Sequence, residues 1–176
     1  MVDPFEWVPI GQSGVEVTRL GLGGAPLSGM VLADGLFGGV EHDEAIAIVE
    51  RAYELGVRYF DTAPLYGEGR SEVRYGKGLA DADRAEVAIS TKVDRLLVAE
   101  DPADLSPAGP DGLPRLKTEF NFTRAGILKS LEQSLHRLNM DSIDIVYVHD
   151  SDFSGQHPDE RFIEALEVVS ELRSEG

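Results

Sequence analysis

Four times along this chain an apolar β-type run is followed by a segment with helical spacing, and that strict alternation is what most limits the fold. Val17 to Leu22 is a short strand ending in Gly23-Gly24. From Asp43, the apolar positions Ala45, Ile46, Val49, Ala52 and Tyr53 recur at helical spacing, with Gly56 placed to cap the end. Val57 to Asp61 is the second strand, Ser71 to Leu79 a shorter helix, and Val87 to Lys92 the third strand. Thr123 caps a helix striped by Ile127, Leu128, Leu131, Leu135 and Leu138. Ile143 to His149 is the fourth strand, and Pro158 opens a last helix through Phe162, Leu166, Val169 and Leu172. Strands separated by helices pair in parallel, because the crossover returns the chain to the same edge, so the expected fold is a helix-covered parallel sheet. Periodicity alone does not separate a closed barrel from an open doubly wound sheet.

Two segments depart from the alternation. Val8 to Ile10 and Val15 to Val17 flank Gly11-Gln12-Ser13-Gly14, the pattern of an N-terminal β-hairpin. Asp94 to Asn121 contains Pro102, Pro107, Pro110 and Pro114 without a sustained period, and is expected to be a long loop, which inside a compact domain is usually functional. The 176 residues form a single expected domain. A complete barrel usually needs about 250 residues, so if the sheet is a barrel the chain is expected to be truncated.

Composition excludes several function classes. The formal net charge is −16, from 32 acidic and 16 basic residues, and would repel a phosphate backbone, so nucleic acid is not an expected partner. No apolar run reaches the roughly 18 residues that span a bilayer. The acidic start of the chain lacks the features of a secretory peptide, and a cytoplasmic location is expected. There is no cysteine, which removes disulfides, thiolate nucleophiles and thiolate metal sites. His149, Asp150, Asp152 and His157 do not match the spacing of a metal motif, and no metal is expected.

The chemistry gathers at strand ends. Asp61, Lys92 and His149 close the second, third and fourth strands, and in parallel α/β folds those ends share the rim where ligands bind. Tyr66, flanked by Pro64 and Gly67 in the loop after Asp61, can reach the same rim. A phenol ordinarily keeps its proton to about pH 10, and a neighbouring ammonium favours its ionised form. Lys92 could supply that charge, with Asp61 holding the lysine and His149 orienting a substrate oxygen.

Gly56-Val57-Arg58-Tyr59-Phe60-Asp61-Thr62-Ala63-Pro64-Leu65-Tyr66-Gly67, followed by Ser71-Glu72 and Gly76, resembles the first signature of the aldo-keto reductases. Ser90-Thr91-Lys92 and Asp144 to His149 resemble that family's lysine and histidine strands. The resemblance implies the first four βα units of a (β/α)₈ TIM barrel after an N-terminal β-hairpin. It also implies a catalytic tetrad of Asp61, Tyr66, Lys92 and His149, with NAD or NADP as cofactor. Gly23, Gly24 and Ala25, together with Asp61, are the expected cofactor-binding positions, and the expected substrate is a small carbonyl compound, sugar or alcohol. Val148-His149-Asp150 and Tyr66 to Glu72 resemble the branch that holds aldose 1-dehydrogenases and pyridoxal 4-dehydrogenase, which oxidise an anomeric or hemiacetal hydroxyl. A cofactor-binding regulatory module and an inactive fragment are the alternatives.

Overall fold

A computed structural model describes residues 2–29, 39–150 and 159–175. The four repeated strands are β3 (Gly21–Gly23), β4 (Tyr59–Asp61), β5 (Ala88–Val93) and β8 (Ile145–Val148). They form one parallel sheet in the order β3-β4-β5-β8, so chain order and spatial order coincide, as in the wall of a barrel. The register pairs Gly23 with Asp61, Asp61 with Ser90, and Lys92 with Tyr147, which brings the strand ends to one level.

Helices α1 (His42–Glu54), α2 (Arg70–Gly78), α3 (Arg124–Leu138) and α4 (Asp159–Glu175) cover one face. Phe60, Ile89 and Val93 point toward them. The first two pack with Val49, Tyr75, Leu79 and Leu138, while Val93 joins Phe122, Ile127, Phe162 and Ala165 under α3 and α4. The opposite, concave face is polar: Tyr59, Asp61, Ser90, Lys92 and Tyr147 line it in consecutive rows. Alternation of two per strand turn makes this division automatic, since Asp61 and Phe60, or Lys92 and Val93, must face opposite ways.

The N-terminal hairpin pairs β1 (Trp7–Pro9) with β2 (Glu16–Thr18), antiparallel, one residue away from the expected limits. Val17 therefore belongs to the hairpin, and the first barrel strand is shorter than expected. Both ends of α3 are capped: the Thr123 side chain accepts from the Gly126 amide, and Asn139 closes the helix in a left-handed conformation. Pro158 lies outside the described residues. Among those described, no helix is long and apolar enough to cross a membrane.

The segment after Lys92 is a correction. The expected structureless loop contains a second antiparallel hairpin, β6 (Arg95–Ala99) with β7 (Leu116–Phe120), register Arg95 to Phe120. Its tip is tied down by Asp111, which accepts from Arg74 Nε at 2.9 Å and Nη2 at 3.1 Å and lies 2.8 Å from His42 Nδ1. The hairpin is thus fastened to the first turn of α1 and to α2.

Candidate active site

The concave face carries a continuous polar chain. Lys92 Nζ donates to both Asp61 oxygens at 2.9 and 3.0 Å and to the Thr62 carbonyl at 2.9 Å, which uses all three of its protons. Ser90 donates to Asp61 Oδ1 at 2.6 Å and lies 3.3 Å from the Tyr59 hydroxyl, itself 3.4 Å from that of Tyr147. Burial, helped by the neighbouring Tyr147 hydroxyl and Asp61 carboxylate and opposed by the hydrogen bond from Ser90, pushes the Tyr59 phenol up to about 12, so it stays a neutral hydrogen-bonding group. Lys92 and Asp61 are only partly exposed, at 13% and 28% for their side chains, so their ion pair is weakly screened.

Tyr66 comes to this pair from the loop after β4. Lys92 Nζ lies 4.9 Å from the Tyr66 ring centroid, and that ring meets the His149 imidazole edge-on, 5.6 Å between centroids at 86°. The loop can make this approach because Gly67, Glu68 and Gly69 take successive positive φ angles of 64°, 56° and 91°, folding the chain back onto α2. Gly67 has no room for a side chain, since a Cβ would collide with the Ser28 carbonyl at 2.5 Å. Ammonium, phenol and imidazole therefore surround one space at the C-terminal rim of the sheet.

His149 is 7% exposed, and burial, reinforced by the nearby Arg95 guanidinium, depresses its pKa to about 4. At neutral pH the ring is uncharged and keeps one donor and one acceptor nitrogen.

At the end of β3 the two glycines have different roles. A side chain at Gly23 would meet nothing within 4 Å, leaving open space beside its register partner Asp61. Gly24 instead is packed: a Cβ there would strike the Ser71 hydroxyl and Tyr75, and its amide donates to the Asp61 carbonyl at 2.7 Å. So the exposed Gly23 and the half-buried Ala25 remain open to a ligand, whereas the missing side chain of Gly24 serves the packing of α2. That open strand end next to a polar floor leaves room for a ligand.

Sequence reasoning missed three features of the site. The Tyr59–Ser90–Tyr147 row is hidden in strands that read as apolar. Asp94 and Arg95, directly after β5, lie in the segment expected to be a loop, yet both are buried. Asp150, read in the sequence only as part of a motif, accepts from Arg95 Nη2 at 3.0 Å. Among the described residues no group of three or more His, Asp or Glu could hold a metal; Asp152 and His157 lie outside them.

The sequence model of the Aldo/keto reductase family matches residues 19–176. D-threo-aldose 1-dehydrogenase of a Pseudomonas species is 36% identical over 174 residues, covering 93% of this chain and 49% of that protein. Pyridoxal 4-dehydrogenase of Microbacterium luteolum is 37% identical over 150 residues, covering 80% of this chain and 42% of that protein. Among solved structures, the holo form of aldo-keto reductase AKR11C1 from Bacillus halodurans superposes with a TM-score of 0.68 at 27% identity, over 97% of this chain and 47% of that one. The chain spans about half the length of the curated relatives it matches.

Proposed function

The chain belongs to the aldo/keto reductase family, and from that premise we propose that it supplies the catalytic half of a nicotinamide-dependent oxidoreductase acting on an aldose or hemiacetal hydroxyl. The active unit in this reading is one eight-stranded domain, of which β3, β4, β5 and β8 are the first four strands, working in the cytoplasm without metal. Similarity to an aldose and a pyridoxal dehydrogenase supports the substrate class, and the absence of cysteine fits a reducing compartment.

The observation that carries the reading is the meeting of Lys92, Tyr66 and His149 above the polar floor of the sheet. NAD or NADP, when bound, takes up or gives the hydride. The protein's part is to move a proton and to place the reacting oxygen. Tyr66 Oη is the group that takes the proton of the substrate hydroxyl during oxidation and returns it during reduction. Lys92, held by Asp61 and the Thr62 carbonyl, keeps a positive charge beside the Tyr66 ring and stabilises the phenolate form as it develops. The neutral imidazole of His149 gives the substrate oxygen a hydrogen bond and fixes it beside Tyr66. Gly23, Ala25 and the carboxylate of Asp61 border the place for the nicotinamide ring.

The test is turnover of the full-length enzyme with a panel of aldoses and pyridoxal, NAD and NADP supplied separately, followed by the absorbance of the reduced nicotinamide. Oxidation of at least one of these substrates with saturable dependence on one nucleotide is expected. Tight nucleotide binding without turnover of any alcohol or aldehyde would favour a cofactor-binding regulatory module instead.

A further inference from the structure

The strongest unexplained feature of the molecule stands next to His149. Four buried side-chain atoms among the described residues have no hydrogen-bond partner, and three of them belong to two consecutive residues: both carboxylate oxygens of Asp94 and Nη1 of Arg95. Buried polar atoms are nearly always satisfied, and unsatisfied charge concentrates where function requires it. Asp94 also sits at φ +95°, in the left-handed region that favours glycine. Arg95 follows β5, and Asp150 follows His149 at the end of β8 with φ +47°.

Arg95 could satisfy its nearer neighbour but does not. Its Nε is 3.8 Å from Asp94 Oδ1, beyond hydrogen-bond reach, while Nη2 crosses to Asp150 Oδ2 at 3.0 Å. The guanidinium is also stacked near the Phe120 ring, 5.0 Å from Cζ to the centroid, which fixes it from the hairpin side. Asp150 Oδ1 in turn lies 3.7 Å from His149 Nε2. A line of contacts therefore runs from the end of β5 to the imidazole at the end of β8.

We propose that Arg95 is a positioning residue for His149: by pairing with Asp150 at 3.0 Å it holds that carboxylate 3.7 Å from the imidazole, outside hydrogen-bond reach, and leaves the ring free to face the substrate oxygen. The proposal rests on the assignment of His149 as the group that orients the substrate oxygen. The charged and titratable groups around His149 are Lys92 on β5, Asp61 on β4, Tyr66 in the following loop, Asp94 and Arg95 beyond β5, and its own neighbour Asp150. Of these, Arg95 and Lys92 disfavour the imidazolium while Asp150 and Asp61 favour it, and the larger of the two opposed pairs is Arg95 with Asp150. An uncharged His149 presents the same hydrogen-bonding face to substrate throughout the neutral range. A charged one would compete with Lys92 for the electrostatics of the site.

The experiment is an NMR titration of the imidazole nitrogens in the full-length protein, with the His149 signal assigned among the histidines by its loss in His149→Gln. Wild-type His149 is expected to titrate near pH 4. Arg95→Leu is expected to raise that midpoint by about one unit or more, Arg95→Lys to restore it, and Asp150→Asn to move it down. Where Arg95→Leu does not fold, Arg95→Gln removes the charge while keeping a donor toward Asp150, and the same rise is expected. An unchanged midpoint after loss of the Arg95 charge would overturn the proposal. So would shifts of the same sign in the Arg95 and Asp150 variants, since loosening of the strand ends would act alike in both. In the turning-over enzyme, the acidic limb of the kcat/KM profile should follow the NMR midpoint upward in Arg95→Leu. The titration needs no turnover, so a failure of the proposed activity and a failure of the clamp are separate results.

Discussion

Among the described residues two carboxylates are exposed by 1% or less, Glu72 behind the sheet and Asp94 at its rim, and they are treated in opposite ways. Glu72 on α2 accepts from Thr91 Oγ1 at 2.8 Å and from Arg137 Nε at 2.7 Å. Its guanidinium partner further reaches Ser134, and the whole set ties β5, α2 and α3 together. Asp94 has a cation nearby and no hydrogen bond to either oxygen among the described residues. Burial raises its pKa to about 7, with Asp150 adding to the rise and Arg95 opposing it. The difference separates a charge used for holding the fold from a charge left over where the site is assembled. Complete satisfaction marks the first, and incomplete satisfaction next to His149 marks the second.

That contrast can be broken from either side. Removing the Glu72 carboxylate by Glu72→Ala would leave Arg137 buried without its partner, turning the satisfied network into an orphaned one. A loss of about 3–5 kcal/mol is expected in denaturant unfolding. A loss below about 1 kcal/mol would show that the network is not what joins these elements.

Asp94→Asn works in the other direction. Because the folded-state pKa of Asp94 lies above its ordinary value of 3.8, folding favours the protonated acid. The group costs nothing below that ordinary value. Its cost grows as pH rises from 3.8 through about 7 and is complete above. The asparagine variant should therefore be no more stable than wild type in acid and more stable near pH 8, by on the order of 3 kcal/mol. Paired unfolding measurements at the two ends of that range check it, and an equal difference at both would mean that the charge of Asp94 is not the cause.

How far these features were legible in the sequence follows from the range of the interactions involved. The βα alternation is local, since hydrophobic period and caps are written within about ten residues, and it places Asp61, Lys92 and His149 at one rim. The hairpin after β5 was hidden by its own tip. Pro102, Pro107, Pro110 and Pro114 all fall between β6 and β7, and they obscured the short runs Arg95 to Ala99 and Leu116 to Phe120 on either side. Gly24 illustrates a different gap: a glycine at a strand end reads as room for a ligand, while Ser71 and Tyr75, far along the chain, already fill that room. The Arg95–Asp150 pair spans 55 residues and two strands, and nothing within either motif announces it. Positive φ at Asp94, Asp150 and Glu68 is also invisible in residues that are not glycine.

The central claim is that Tyr66, with Lys92 beside its ring, moves the proton while the rest of the site only holds the substrate and cofactor. Tyr66→Phe tests it most directly, because the ring and its edge-on contact with His149 remain and only the hydroxyl is lost. Measured on the full-length protein with its best substrate, kcat should fall by about 10²–10⁴-fold while the dissociation constant for the nicotinamide cofactor stays within about threefold. A variant that keeps its turnover to within about tenfold, or that loses activity only through weaker cofactor binding, would contradict the assignment.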